Sequence, residues 1–309
     1  MDINKVTAVY FVGAGGIGMS ALIRYFLAKG KRVGGYDKTP SDLTEELKKE
    51  GADIHYEDNV ALIGEAFKSP DDTLVVYTPA VPESHTELTY FRAHGFEVMK
   101  RARVLGEITK SSRGLCVAGT HGKTTTTSMA THIFMAAQAD PTVMIGGTLP
   151  LLHSGYRVGR GDTIILESCE YCNSFLNFFP TVAVILNVHA DHLDFFKDLA
   201  DIEHSFHDFA ALVPERGFII ANADDEGARE AVKGLTHPVF TFSVKDRSAD
   251  CYADNVSFFD GYGDFDVVIN GLTYAHVSLH VPGAHNISNA LAAASAAYVV
   301  RHQVCGNGI

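Results

Sequence analysis

The sequence predicts an α/β protein with two domains. These are an N-terminal Rossmann-like domain with a parallel sheet and a central P-loop ATPase-like α/β domain with a small antiparallel sheet. Three observations predict this class. Apolar runs of strand length alternate with helical segments, a glycine-rich loop follows the first run of each half, and the last part of the chain has a hairpin pattern.

Composition restricts the functions open to the chain. With 309 residues, 46% of them hydrophobic, it is long and apolar enough for two packed cores. A net charge of -12 with only 25 Lys and Arg argues against a nucleic-acid surface, which needs concentrated positive charge. The sequence has neither an export signal nor an apolar run of about 18 residues, so we expect a cytoplasmic protein without a membrane span.

Cysteine usage points to a reducing compartment. The five cysteines are an odd number, which favours reduced thiols over a disulfide framework. Cys169 and Cys172 form a Cys-x-x-Cys motif, but the chain has no second such pair, so we expect no structural zinc site.

The chain opens with a nucleotide-binding pattern. A strand is predicted at residues 8–12, then a Gly-x-Gly-x-x-Gly loop at residues 13–18 and a helix from about Ser20 to Lys29. Such glycines let the backbone approach a diphosphate. A second strand at residues 32–36 ends at Asp37, whose carboxylate could bind a ribose hydroxyl. The pattern does not identify the nucleotide. An NAD-dependent oxidoreductase would fit it, but would leave the second glycine loop unexplained.

The remainder of the first domain leaves two roles open. A strand at residues 74–77 runs into Thr78, and residues 84–87 are either site residues or a polar loop that caps a helix from Glu87. Arg101 and Arg103 precede a helix at residues 104–110, and either could bind a phosphate or be solvated. A polar stretch follows, so we place the first domain at residues 1–110 and the second at residues 111–304.

The second domain begins with a phosphate-loop pattern. Residues 119–126 read Gly-Thr-His-Gly-Lys-Thr-Thr-Thr and lie between an apolar run at residues 115–118 and a helix. Backbone N–H groups and the helix N-terminus can face an anion there, Lys123 adds a positive charge, and Thr124 can offer its hydroxyl to magnesium. The strict Walker spacing would need glycine where the chain has Val117, so this is a shortened form of the loop.

Two further strands carry polar side chains at their ends. After a strand at residues 142–145 and a predicted turn at residues 146–148, the run at residues 163–166 leads into Glu167 and Glu170. The next strand, residues 182–186, leads into a segment with His189, Asp191, His192 and Asp194. Carboxylates beyond a strand, near a phosphate loop, suit a hard cation that bridges nucleotide phosphates. The alternative is an ordinary polar loop.

The last part mixes helices and strands. A helix is predicted at residues 202–212, a strand at residues 218–222 and a capped helix start at residues 224–226. Two strands around Asn270-Gly271 predict a hairpin with a type I′ turn. A final helix begins at His285. Its Asn286 and Asn289 share one face, and they could either read a base edge or cap the helix.

Together these motifs resemble the Mur ligase family, the ATP-dependent enzymes that form amide bonds in peptidoglycan precursors. The matching segments run in family order, at residues 13–20, 119–125, 167–171, 191–194, 285–286 and 289–291. The alanine-adding branch is the most similar. The resemblance implies ATP and Mg²⁺ as cofactors and UDP-N-acetylmuramate and L-alanine as substrates, joined through an acyl phosphate, with no nucleic acid or membrane involved.

The resemblance also assigns residues to roles. It implies that the first domain binds the UDP-substrate through Gly13, Ala14, Gly15, Gly16, Ile17, Gly18, Met19, Ser20, Asp37 and Thr78. It implies that the second domain binds ATP through Gly119, Thr120, His121, Gly122, Lys123, Thr124, Thr125, Asn286 and Asn289. Magnesium would be bound by Thr124, Glu170 and His192, and the catalytic residues would be Lys123, Glu170 and His192.

Two departures from the family pattern affect these expectations. Some members carry a modified lysine where this chain has residues 205–209 without lysine, which fits the alanine-adding branch. Members also continue into a third domain, of which residues 305–309 would be only the start, so we expect this chain to bind its ligands but to ligate weakly or not at all. The alternatives are a murein-peptide ligase of the same family and a non-catalytic nucleotide-binding module.

Overall fold

The computed structural model describes residue 3 and residues 5–304, in two compact units. The first unit comprises Met1–Ile108 with Tyr156–Val158, and the second comprises Thr109–Gly155 with Gly159–Ile309. The division therefore falls two residues before the predicted limit at residue 110. Residues 305–309, predicted to begin a further domain, lie outside the described residues.

A five-stranded parallel sheet forms the centre of the first unit, in the order β3-β2-β1-β4-β5. Its strands are β1 Ala8–Val12, β2 Arg32–Tyr36, β3 Asp53–His55, β4 Thr73–Tyr77 and β5 Glu97–Lys100. Its helices are α1 Ile17–Ala28, α2 Asp42–Lys49, α3 Thr86–Ala93 and α4 Arg101–Lys110. Every residue of β1 and of β4 is buried, as expected for the centre of a parallel sheet. The strand order reverses between β1 and β4, which is where such sheets bind ligands.

A ten-stranded mixed sheet forms the second unit, in the order β15-β14-β13-β12-β11-β10-β6-β9-β7-β8. Its strands are β6 Arg113–Ala118, β7 Thr142–Leu149, β8 Ser154–Arg157, β9 Thr163–Glu167, β10 Pro180–Ile185, β11 Phe218–Asn222, β12 Val239–Ser243, β13 Cys251–Phe259, β14 Tyr262–Ile269 and β15 Leu272–Pro282. Its helices are α5 Lys123–Ala136, α6 Leu199–Ala211, α7 Glu226–Val232 and α8 His285–Val299, which continues as a π-helix at Val300–Val304.

The strand order of the second unit places the predicted site segments together. Strand β6 lies between β10 and β9, and both of these neighbours are parallel to it. The carboxyl ends of the three strands therefore lie at one edge, where they lead into residues 119–122, 168–170 and 186–194. Buried side chains of β6, β10 and α8 belong to one apolar cluster beneath this edge.

The predicted turn at residues 146–148 is wrong, because β7 continues to Leu149. A Cβ at Gly146 would lie 2.9 Å from Glu167 Oε2, and one at Gly147 would lie 3.4 Å from Thr124 Cγ2. This part of the strand therefore passes beside the end of the Glu167 side chain and the methyl group of Thr124.

The hairpin is confirmed, and the antiparallel region differs in one respect from the prediction. Asn270 and Gly271 have φ of 51° and 77°, as a type I′ turn requires, and they join β14 to β15. The antiparallel strands do not form a separate sheet. Strand β13 pairs in parallel with β12, so β13, β14 and β15 extend the large sheet.

Candidate functional site

The loop at residues 119–122 joins β6 to α5 and presents an uncapped helix N-terminus. Gly122 is the N-cap residue, with φ of 85°, and no side chain caps the helix. The N–H groups of the first turn, from Lys123 onward, therefore have no intrahelical partner. Because these donors coincide with the positive end of the helix dipole, the segment is suited to bind an anion such as a phosphate.

Lys123 folds back over its own loop. Its Nζ donates hydrogen bonds to the carbonyl oxygens of Gly119 and Thr120 and forms an ion pair with Glu170, at 2.9 Å from Oε2. The Glu170 side chain is only 2% exposed and that of Lys123 is 17% exposed. The ammonium group thus neutralises a buried carboxylate at the mouth of the loop.

His192 completes this charged cluster. Its Nε2 lies 4.0 Å from Glu170 Oε1, and its φ of 50° is unusual for a residue other than glycine. The His192 N–H donates to Asp191 Oδ1 at 2.7 Å, while Tyr171 contacts the imidazole ring and donates its hydroxyl to Asp194. These contacts hold the imidazole beside the carboxylate.

The donor set fits a magnesium ion that shares its coordination with a nucleotide. Thr124 offers an exposed hydroxyl in the first turn of α5, and Glu170 and His192 lie beside Lys123. Among residues 3 and 5–304, no cluster of three or more His, Cys, Asp or Glu could hold a metal ion. Magnesium characteristically binds through one or two protein groups plus phosphates and water, so a sparse set of this kind fits it.

The two asparagines of α8 support the loop from within. Asn286 and Asn289 are each 6% exposed. Asn289 donates to Asn286 Oδ1 at 2.9 Å and accepts from Thr126 Oγ1 at 3.2 Å, while Asn286 donates to the Pro282 carbonyl. A Cβ at Gly122 would lie 2.5 Å from Asn289 Oδ1. Both amides therefore bond within the protein, and Asn289 packs directly against the phosphate loop.

In the first unit, the glycine loop after β1 is already tied to the end of β2. The N–H groups of Gly13 and Ala14 donate to the Tyr36 carbonyl, and that of Gly15 donates to Asp37 Oδ2 at 2.6 Å. Asp37 thus fixes the loop in addition to any role toward a ribose. Thr78 follows β4, and a Cβ at Gly13 would collide with its methyl group. The two predicted segments therefore meet at the reversal point of the sheet.

Helix α1 begins at Ile17, so four predicted ligand-binding residues lie in its first turns. These are Ile17, Gly18, Met19 and Ser20, and the last two are buried. Gly16 is the N-cap and no side chain caps the helix. The guanidinium group of Arg101 lies beside Gly18, with its Nη1 2.5 Å from where a Cβ would be. Arg101 therefore brings a positive charge to the first turn of α1, where a bound anion would lie.

Sequence reasoning missed the role of Asn187. No role is predicted for this residue, which lies between the strand predicted at residues 182–186 and His189, yet its side chain bonds directly to the phosphate loop. It also missed Asp225, which caps α7 and in addition binds His189 Nε2 at 2.9 Å. The signal available was position, because both residues lie within three residues of the end of a parallel strand, β10 for Asn187 and β11 for Asp225.

The four cysteines in the described residues form no disulfide, and Cys116 and Cys251 among them are buried. Burial raises the pKa of the Cys116 thiol to about 12, so it stays protonated near neutral pH. In the same part of the chain, the structure contains no helix that is both long and apolar enough to span a bilayer.

The fold and the site define a ligase family. The model described as "Mur ligase family, catalytic domain" matches residues 8–113, and that described as "Mur ligase middle domain" matches residues 117–297. The chain therefore belongs to the Mur ligase family.

Two curated relatives carry the same name. The chain is 59% identical over 300 residues to the UDP-N-acetylmuramate–L-alanine ligase of Parabacteroides distasonis, covering 97% of this chain and 64% of the relative. It is 44% identical over 297 residues to the ligase of the same name from Clostridium novyi, covering 96% and 63%. The chain thus spans somewhat less than two thirds of the length of these relatives.

Solved structures are similar over nearly the whole chain. The UDP-N-acetylmuramate:L-alanyl-gamma-D-glutamyl-meso-diaminopimelate ligase of Neisseria meningitides, a murein-peptide ligase, matches with a TM-score of 0.83 at 26% identity, covering 97% of this chain and 95% of that one. The UDP-N-acetylmuramate-alanine ligase of Thermotoga maritima matches with a TM-score of 0.77 at 28% identity, covering 97% and 66%.

Proposed function

We propose that this chain is the part of an ATP-dependent UDP-N-acetylmuramate–L-alanine ligase that binds the two nucleotides. The observation that carries the proposal is the cluster of Lys123, Glu170 and His192 beside an uncapped helix N-terminus. Identity of 59% to an L-alanine ligase supports the choice of reaction. Both proposed nucleotide ligands are cytosolic metabolites, which is consistent with a cytoplasmic enzyme.

The proposed reaction has two steps. A carboxylate oxygen of the sugar nucleotide attacks the γ-phosphorus of ATP, so an O–P bond forms and ADP leaves. The amine of L-alanine then attacks the acyl-phosphate carbonyl, an amide forms, and phosphate leaves with the bonding electrons. The excess proton passes from the amine to solvent.

The first step brings two anions together, so positive charge must lie at their meeting point. We propose that Lys123 moves from Glu170 onto the triphosphate and that the N–H groups of the first turn of α5 bind its oxygens. Glu170, Thr124 and His192 would hold Mg²⁺, which would supply further positive charge to the phosphates. We keep Asn286 and Asn289 as proposed adenine contacts, while Gly13–Ser20, Asp37 and Thr78 would hold the UDP portion.

A second candidate is tripeptide ligation, because the solved structure with a TM-score of 0.83 is a murein-peptide ligase. Its 26% identity is well below the 59% of the alanine ligase, so we favour alanine. The two candidates share the site and differ in the amine.

Phosphate release by the complete gene product containing these residues would separate the two. We expect release with ATP, Mg²⁺ and UDP-N-acetylmuramate to require L-alanine and not the tripeptide. Lys123→Ala should lower the rate by about 100-fold or more, since it removes charge from the transferred phosphoryl group. Lys233→Ala, which removes an exposed lysine paired with Glu230, is the matched control and should leave the rate unchanged. Phosphate release that depends on the tripeptide would support the second candidate. If neither L-alanine nor the tripeptide stimulated phosphate release, both candidates would be contradicted.

A further inference from the structure

Asn187 makes an unusually complete contact with the phosphate loop. Its main-chain oxygen accepts from the Thr120 N–H at 3.0 Å. Its side chain accepts from the His121 N–H at 2.7 Å and donates to the His121 carbonyl at 3.1 Å. The Asn187 side chain therefore satisfies both the N–H and the carbonyl group of His121. Its main-chain oxygen also binds the N–H of Thr120, the residue before His121.

The contact determines which N–H groups of the loop face a ligand. Because the His121 N–H is turned toward Asn187, it is withdrawn from the anion-binding face. The chain then turns at Gly122, which has φ of 85°, and enters α5. The donors that remain available belong to the first turn of the helix, where they converge with the helix dipole.

The residues around Asn187 are themselves fixed. The Leu186 N–H donates to the Ala118 carbonyl, and the Leu186 carbonyl accepts from Asn222 Nδ2 at 2.9 Å. The Val188 N–H donates to Asp225 Oδ1 at 3.1 Å, and the His189 N–H donates to Thr120 Oγ1 at 2.9 Å. Asn187 thus projects from a rigid support that joins β10, β11 and α7.

We propose that Asn187 is a positioning residue that sets the phosphate loop in its binding conformation before the nucleotide arrives. The inference rests on the proposed function, since it assumes that the loop binds a triphosphate. Asn187 itself contacts the loop backbone. Its effect on affinity comes through preorganisation, because a loop that is already ordered loses less conformational freedom on binding.

The expected effect of Asn187→Ala is specific to the phosphates. The side chain is only partly buried, so water can replace its two hydrogen bonds in the folded protein and the melting temperature should change little. Without the contact the loop samples other conformations, and we expect Mg²⁺-ATP affinity to fall about tenfold, with little change in the affinity for adenosine.

Calorimetry with Mg²⁺-ATP and with adenosine, together with amide hydrogen exchange at His121, tests this on the 309-residue chain. Asn255→Ala is the matched control, because it also removes an asparagine side chain that makes a hydrogen bond, here to Asp266 Oδ2 at 2.7 Å between β13 and β14, and Asn255 contacts neither the loop nor the residues that support Asn187. We expect exchange at His121 to accelerate only in Asn187→Ala, together with the selective loss of ATP affinity. Equal losses for ATP and adenosine, unchanged ATP affinity, or unchanged exchange would overturn the inference. Failure of the wild-type chain to bind Mg²⁺-ATP would instead count against the proposed function, while the exchange measurement would still test the contact.

Discussion

At the scale of single residues, the central feature is that Lys123 and Glu170 are paired with each other. Each has a proposed ligand of opposite charge, phosphate for the ammonium and a cation for the carboxylate. Moving Lys123 alone to a phosphate would leave a carboxylate that is 2% exposed without its partner, next to a polyanion. The pair therefore favours the arrival of metal and nucleotide together.

Glu170→Gln should change the metal dependence of ATP binding. We expect metal-free ATP to bind about tenfold more tightly to the variant than to the wild type, because Lys123 is released and a negative charge is removed. The gain in affinity on adding Mg²⁺ should be smaller in the variant, since one metal ligand is weakened. Calorimetric titration with and without chelator measures both quantities.

Glu230→Gln is the control for this experiment, because Glu230 forms an exposed ion pair with Lys233 outside the site. It should behave like the wild type. If Glu170→Gln bound metal-free ATP no better than the wild type, the pairing would have no energetic consequence for the nucleotide.

At the scale of elements, two turns with similar backbone geometry differ in their surroundings. Gly122 and Gly271 have φ of 85° and 77°. A Cβ at Gly122 would lie 2.5 Å from Asn289 Oδ1, whereas a Cβ at Gly271 would meet nothing within 4 Å. The loop that begins α5 is therefore restricted both by its conformation and by its packing on α8, and the hairpin turn is restricted by its conformation alone.

Alanine substitution at these two glycines should separate the cost of the backbone conformation from the cost of packing against α8. Gly271→Ala should cost roughly 1 kcal/mol of unfolding free energy, because a non-glycine residue at positive φ is strained. Gly122→Ala should cost more, by at least another 1 kcal/mol, because Asn289 must also move. It should also abolish ATP binding, which Gly271→Ala should leave intact. Urea unfolding and calorimetry measure these effects, and equal costs at the two positions would contradict the role assigned to Asn289.

At the scale of the whole molecule, one buried acid makes stability depend on pH. Glu87 is fully buried in the first unit and accepts from the Tyr10 hydroxyl at 2.8 Å and from the Asn59 N–H at 3.2 Å. Burial raises its pKa from 4.5 to about 7, and the nearby Asp58 adds to this rise. Between these two values the folded protein holds a proton that the unfolded chain has released. Stability therefore falls as pH rises through this window.

Glu87→Gln should remove this dependence. In the wild type, the shift corresponds to about 3 kcal/mol of unfolding free energy lost between pH 4.5 and pH 7. The variant carries no titrating group at this position, so its unfolding free energy should change less over the same range. Glu65→Gln, which alters a highly exposed glutamate, is the control. Parallel pH profiles for Glu87→Gln and the wild type, from urea unfolding, would show that Glu87 does not titrate as described.

The sequence carried enough information to predict most of the fold and the location of the site. Apolar runs predicted the central strands because these are buried on both faces, and β2 and β11 begin and end at the predicted residues. The phosphate loop and the segments that carry Glu170 and His192 were predicted to form one site, because each follows a parallel strand. The turn predicted at residues 146–148 is wrong, since sequence alone does not show that the two glycines lie in a strand beside Glu167 and Thr124. The contacts of Asn187, Asn289 and Asp37 with loop backbone were likewise not predictable, because they depend on how distant segments meet.

The packing of Asn289 against Gly122 has a practical consequence for protein engineering. The phosphate loop and α8 are far apart in sequence, and yet Asn289 of α8 packs against Gly122 of the loop and bonds to Thr126 in the helix that follows it. A fragment designed to bind nucleotide therefore has to extend through α8, even though every residue with a proposed phosphate or metal contact lies before residue 193. A shorter fragment ending after β12 would retain those residues but would lack the amide that abuts the loop. The smallest useful nucleotide-binding fragment is thus defined by a helix that supplies structural support from the far end of the domain.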